Sequence, residues 1–582
     1  MSIKTLCLSK LVGPTPHPVA FRTIVLTALA VIFSQTASSG QAAELKAQGD
    51  ALQDAVVAVQ SGSKRYEQKI AFQDPAVIRY TYDEIDQKGN RTQYVYEFNL
   101  ADIDPYAVRE QTQKDLISVV VAARNKQKLI KVYKNETVQP YDVQTAIIAS
   151  DIGNARAISD IIKKGIPFAE QVMASRLKLS GYGAMVTWLA GNISEVSLGD
   201  KSFKQALTKG EQPGALIFTR VEADARSSTE EVFTFNLADI NANSIGYKIT
   251  GNQFAVIFEA LQKTKYISVR KNGELKPYVD DLTIYTNNAD EARDLKHVLS
   301  SVVPLANEKV KGNMPTVASD KDGLQKMKTF VDDVTQGDKV TSQSLEGDCL
   351  TGFTQVEKNP KSSVANVFRF NWMDVNPLGS KIDVAGDRLW VNLKFNDDKK
   401  LVMHTVDDKF KGYDNDVKIF MQDIESARRA KFVMDQVVEK CKASYKEPFG
   451  TDLATTSAYF RSNIKEVSME EVTLKQTLEP VEGDNNKYKY TVMELNAKGS
   501  GPEQVYEFNL SDINPAGIAV EVKGKWLYVV LETDFEGKII KYYKDGKIQP
   551  YTSSIQFAVN DVDIARNLVS ALNRAVKAVK PK

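Results

Sequence analysis

Gln504-Val-Tyr-Glu-Phe-Asn-Leu510, followed by Asp563-Ile-Ala-Arg566, decides the fold because both halves of the pattern occur four times. Phe-Asn-Leu recurs at Phe98-Asn99-Leu100 and Phe235-Asn236-Leu237, and the third copy reads Phe370-Asn371-Trp372. Ala-Arg recurs at Ala155-Arg156, Ala292-Arg293 and Ala427-Arg428. In every copy 57 residues separate the Phe from the Ala. A spacing held four times without net insertion marks a repeated folding unit. Successive Phe residues lie 137, 135 and 138 residues apart, and a unit of that length can bury a core of its own.

Working outward from the fourth copy, the strand-forming stretches are Thr473 to Leu478, Tyr488 to Leu495, Gln504 to Leu510, Ile518 to Val522, Trp526 to Glu532, Lys538 to Tyr543 and Ser554 to Val559. Asn514-Pro515, Lys523-Gly524-Lys525 and Lys544-Asp545-Gly546-Lys547 punctuate them as turns. The period then changes. Val562, Ala565, Leu568, Val569, Leu572 and Val576 form one stripe of a helix. Asn560 or Asp561 stands at its N-cap, and Asp151, Asn288 and Asp423 hold that place in the other copies. The core is expected to include Phe98, Leu100, Ile103, Phe508, Leu510 and Ile513.

Seven strands in a meander and one C-terminal helix resemble the pleckstrin-homology-like barrel, in which the helix plugs an open end. The resemblance rests on element order over roughly 100 residues of each copy. The expected fold is therefore α+β, mainly β: four tandem repeats, each a seven-stranded barrel of this kind with a C-terminal capping helix and helical connectors. The connectors are read at Leu45 to Gln60 and Ala169 to Leu189. The domain reading is 1–43 leader, 44–168, 169–305, a linker over 306–323, 324–446 and 447–582. Copies two and four share Asn192-Ile-Ser-Glu-Val-Ser197 and Asn463-Ile-Lys-Glu-Val-Ser468, which indicates that a two-repeat unit was duplicated.

Lys4, Lys10 and Arg22 precede a short apolar run, Thr23 to Phe33, and then small residues up to Ala43. This reads as a secretory signal peptide, with Ala43 or Glu44 as the first mature residue. The expected location is the periplasm or the medium of a bacterium. No later stretch carries 18 unbroken apolar residues, so no transmembrane segment is expected after cleavage. Lys+Arg number 75 and Asp+Glu 74, a balance that argues against nucleic acid as a partner.

The mature chain keeps two cysteines, Cys349 and Cys441, which an oxidising compartment would join in a disulfide. His297 and His404 are its only histidines and fall in different copies, so no histidine-based catalytic set is expected. No metal-ligand spacing, P-loop or dinucleotide fingerprint occurs, and no cofactor is expected. Asp414-Asn415-Asp416, Asp397-Asp398 and Asp407-Asp408 read as solvated turns. Asp102, Asp239, Asp374 and Asp512 each follow the repeated Phe by four residues and read as turn caps. The one candidate binding surface is a basic face on the sixth strand: Lys131, Lys134, Arg270, Lys271, Lys541 and Lys544, suited to an anionic glycan or lipid headgroup. The expectation is an extracytoplasmic, non-catalytic binding or scaffold protein whose partner is an envelope protein, glycan or lipid. The alternative is a hydrolase with a carboxylate site between modules.

Overall fold

The structure is a computed structural model and describes residues 40–73, 75–250, 253–336 and 339–580. The leader reading, 1–43, falls almost wholly outside the described residues. The chain divides into two units. Unit 1 holds Met1–Ile267, Lys271–Gly273 and Asp280–Glu308; unit 2 holds Ser268–Arg270, Glu274–Val279 and Lys309–Lys582. Strand outweighs helix, and every sheet is antiparallel.

The first copy begins with helix α1, residues 40–55, which sends Leu45 and Leu52 into the core. Nine strands follow: β1 Val59–Ser61, β2 Lys64–Gln73, β3 Val77–Ile85, β4 Arg91–Asn99, β5 Arg109–Gln113, β6 Leu116–Ala122, β7 Ile130–Lys134, β8 Thr137–Asp142 and β9 Gln144–Ala149. They form a six-stranded sheet, β1-β2-β3-β4-β7-β8, and a three-stranded sheet, β5-β6-β9. The same connection recurs in the other three copies.

This order differs from the expected seven-strand meander. The chain leaves the first sheet after β4, makes the β5-β6 hairpin in the second, returns for β7-β8, and crosses again for β9. The Phe-Asn-Leu turn causes the first departure. Asn99 Oδ1 accepts a hydrogen bond from the Ala101 N–H at 2.9 Å and caps the single 3-10 turn Leu100–Asp102. Asn236, Asn371 and Asn509 do the same in their copies. The caps are thus the asparagines and not the aspartates of the sequence reading. Phe98, Leu100, Ile103, Phe508, Leu510 and Ile513 are all buried.

A glutamine ties the two sheets of each copy together. Gln476 donates to the carbonyls of Lys465 (2.7 Å) and Ala558 (2.8 Å) and accepts from the Ala558 N–H (3.0 Å) and the Tyr490 hydroxyl (2.7 Å). Gln68, Gln205 and Gln343 bridge the same elements in the other copies. Backbone groups that the sheets leave unpaired at this seam thereby gain partners inside the core.

Each copy closes with a helix: α2 Ile152–Arg176, then, after the connector helix α3 Gly181–Asn192, α4 Ala289–Gly312. Next come α5 Asp320–Lys328, α6 Ile424–Ser444, α7 Leu453–Asn463 and α8 Val562–Val579. Asp151, Asn288, Asp423 and Asp561 cap the closing helices through their side-chain oxygens. Two boundaries of the sequence reading fall inside helices. Residue 168 lies within α2, and 306–312 of the expected linker continue α4, where Val302, Val303, Ala306 and Val310 extend the buried stripe. Pro304 lies inside α4, where it removes one helical hydrogen bond without ending the helix. Cys349 and Cys441 are joined, with Cα atoms 5.7 Å apart. Among the described residues no helix is long and apolar enough to cross a membrane.

Candidate functional site

The 3-10 turn that follows β4 aims Asp102 away from its own core and toward α4 of the second copy. Arg293 grips it there, with Nε 3.0 and 3.1 Å from the two carboxylate oxygens and Nη2 2.5 Å from Oδ2. The side chains are only 11% and 7% exposed, and Asp290 also pairs with Arg293. Burial works against the guanidinium charge, but Asp102 and Asp290 more than offset it and raise the Arg293 pKa. Unit 2 repeats this latch. Arg566 donates to both oxygens of Asp374 at 2.8 and 2.6 Å, and Asp563 takes the place of Asp290. The Ala-Arg motif is therefore, in copies two and four, the clasp on the preceding copy's Phe-Asn-Leu turn.

Beside the unit 1 latch lies a cleft of about 310 Å³ between α2, α4 and the strand Gly246–Thr250. Ala101, Leu129, Met173 and Ala174 give it apolar wall. Five of its six lysine, arginine, aspartate and glutamate side chains are neutralised by salt bridges: Asp102 with Arg293, Glu170 with Arg124, and Asp294 with Arg176 outside the cleft. Lys296 is the exception. It makes no ion pair among the described residues, and its Nζ lies 4.6 Å from the centroid of the Tyr247 ring. Burial pushes its pKa down, Asp102 opposes this, and the charge of Arg124 adds to it. Burial also raises the Tyr247 hydroxyl, with Asp102 adding to the effect, so the phenol stays protonated and can donate. His297 and Ser300 line the same cleft. Pro304 has no N–H, so the Ser300 carbonyl lacks its usual helical donor.

Unit 2 is an internal control, because its copies align residue for residue with those of unit 1 here. The latch is kept, but the counterparts of Lys296, His297 and Tyr247 are Val569, Ser570 and Val520, and those of Arg124 and Glu170 are Asn396 and Lys442. Tyr445 stands where Met173 stands in unit 1, hydrogen-bonded to Asn567 and 5.9 Å under the Arg566 guanidinium. A groove of about 230 Å³ runs there between Leu401 and Val520–Lys523. Its Lys399 pairs with Asp397, and Lys400 is exposed. The latch is thus common architecture, whereas Lys296, Tyr247, Arg124 and Glu170 have no like residue at the matching positions of unit 2.

The residues singled out from sequence are dispersed. Lys131 and Lys134 lie three apart on one strand, as do Lys541 and Lys544, while Arg270 and Lys271 are adjacent; alternation sends the members of each pair to opposite faces. Lys131 packs over Tyr133 and Lys134 over Tyr94, and Lys541 reaches Glu507 at 3.9 Å. His404 is held at both ring nitrogens, by Asp414 (2.7 Å) and Asn366 (3.1 Å), and stacks on Phe368, which suits a structural role. A pocket of about 20 Å³ lies beside Tyr413 and Asp563. Among the described residues no cluster of three or more His, Cys, Asp or Glu is placed to hold a metal.

Lys296, Arg124, Glu170 and Tyr247 were not singled out in the sequence. A signal existed for one of them. Lys296 occupies the position of Val569, which belongs to the apolar helical stripe of copy four. No protein-family model, curated protein or solved structure matches this chain.

Proposed function

We propose that the chain is an extracytoplasmic, non-catalytic binding protein, and that the unit 1 cleft takes a small organic anion with an apolar body. The observation that carries this reading is Lys296: an amine without an ion pair in a partly apolar cleft whose other charges are neutralised. A ligand carboxylate would supply the missing counter-charge, and a charge-assisted hydrogen bond in such surroundings is stronger than one in water. The volume is at the small end of ligand pockets. The disulfide supports an oxidising compartment. Recurrence of one strand connection four times supports four tandem modules. Two sheets closed by a helix favour the pleckstrin-homology-like resemblance, and the crossed strand order counts against it. The hydrolase reading loses support because each carboxylate of the cleft already carries an arginine.

The test is ligand-observed NMR with benzoate and its neutral counterpart benzamide. Benzoate should show saturation transfer that disappears in Lys296→Met, and benzamide should show little. Equal signals from both compounds, or an unchanged signal in the variant, would refute the assignment.

A further inference from the structure

We propose that Lys296 is a nucleophile that captures a small 2-oxo acid as an imine inside the unit 1 cleft. This rests on the cleft being an anion site and goes further, naming the class of ligand and a covalent step. A lysine becomes nucleophilic when its amine is desolvated or placed near another cation. Both conditions meet at Lys296. It leaves the helix α4 into a cleft walled by Leu129, Met173 and Ala174, and Arg124 is the neighbouring cation. No carboxylate among the described residues holds it as an ammonium through an ion pair. Burial lowers its affinity for a proton, and Arg124 works in the same direction.

The step balances with nothing added. The ammonium first meets the ligand carboxylate and then releases a proton to water. The amine lone pair attacks the adjacent keto carbon, a C–N bond forms, and the carbonyl π pair moves to oxygen. Proton transfer from nitrogen to oxygen gives a carbinolamine; the proton released at the start returns to its hydroxyl, which departs as water while the nitrogen lone pair forms a protonated C=N bond. That iminium keeps the positive charge beside the carboxylate, so the pairing that selected the ligand survives the reaction. The Tyr247 phenol and His297 share the cleft and are the groups available to move protons to and from the oxygen. The same position in unit 2 is Val569, which cannot react.

The experiment uses the full chain with pyruvate as probe and cyanoborohydride to trap the imine as a secondary amine. Intact mass and peptide mapping then locate it. A single adduct should form at Lys296 at least about tenfold faster than at the surface lysines. Lys296→Arg should lose the fast adduct while melting like the parent, and Arg124→Gln should slow it. Trapping spread evenly over the lysines, or a Lys296 left unmodified, would overturn the proposal. Benzoate binding measured in parallel separates the two readings. If benzoate still depends on Lys296 and no adduct forms, the covalent step falls and the anion site stands. If benzoate does not bind either, both fall.

Discussion

The glutamine that joins the two sheets is worth more to the fold than its exposed-looking sequence context implies. Gln476 sits between two lysine-rich or polar neighbours, yet it is buried and makes four hydrogen bonds. Gln476→Met keeps the volume and removes every bond, so the Ala558 N–H and C=O and the Tyr490 hydroxyl lose partners in the core. A loss of about 2–3 kcal/mol is expected, read as a lower denaturant midpoint and faster exchange of the Ala558 amide; unchanged exchange would refute the account. Lys296 makes a second prediction, with a definite sign. Its pKa in the folded chain is lowered, so the ammonium that an anion needs is lost at a lower pH than for an ordinary lysine at about 10.4. Benzoate affinity should therefore be full near neutral pH and fall as pH rises, with a midpoint below that of a solvated lysine. The groups facing Lys296 are Asp102, Arg124, Glu170, Tyr247, Arg293, Asp294 and His297, and Lys296→Met should abolish this step in the titration.

At the scale of elements, sequence carried the inventory but not the pairing. In copy four the local signals of alternation and flanking turns delimit Trp526–Glu532 and Ser554–Val559 to the residue. The short strand Val467–Met469 and the edge strand Lys547–Thr552 leave no such signal. The first is too short to show a period. The second carries Pro550 and a bulge against its neighbour, which break the alternation. The pairing of the last strand with the β5-β6 hairpin was illegible because no local pattern names a partner dozens of residues away. The Asp102–Arg293 clasp was hidden for the same reason: both residues stood in the quoted motifs, 191 positions apart. Cys349–Cys441 was legible only because two cysteines allow one pairing. It closes a loop of 92 residues between the strand edge at Leu350 and the end of α6. Replacing both by serine should cost about 4 kcal/mol by the loop-entropy account. The loss should appear in denaturation followed by a probe in unit 2, such as the buried Trp372; a midpoint shift of a few tenths of a kcal/mol would show that the crosslink does little for the fold.

At the scale of the whole molecule, duplication separates what every pair of copies needs from what one pair has acquired. The Phe-Asn-Leu turn, the glutamine tie, the helix caps and the arginine clasp occur in both units, so each is explained by folding alone. Four of the six cleft charges, Arg124, Glu170, Asp294 and Lys296, are replaced in unit 2 by Asn396, Lys442, Asn567 and Val569. Had they been architectural, Lys296 would not have a valine for its counterpart, nor Tyr247 another. In unit 2 Tyr445 lies under the Arg566 guanidinium, and the lysines on its groove are either paired with Asp397 or exposed to water, where salt screens them. A chain with duplicated architecture and unduplicated chemistry should bind one ligand and not two. Isothermal titration of the full chain with benzoate, at an ionic strength near physiological, is expected to give a stoichiometry of one, lost on Lys296→Met and kept on Val569→Ala. A stoichiometry of two, or a site that survives Lys296→Met and disappears when Lys400 is neutralised, would place recognition in unit 2 and remove the functional distinction between the units.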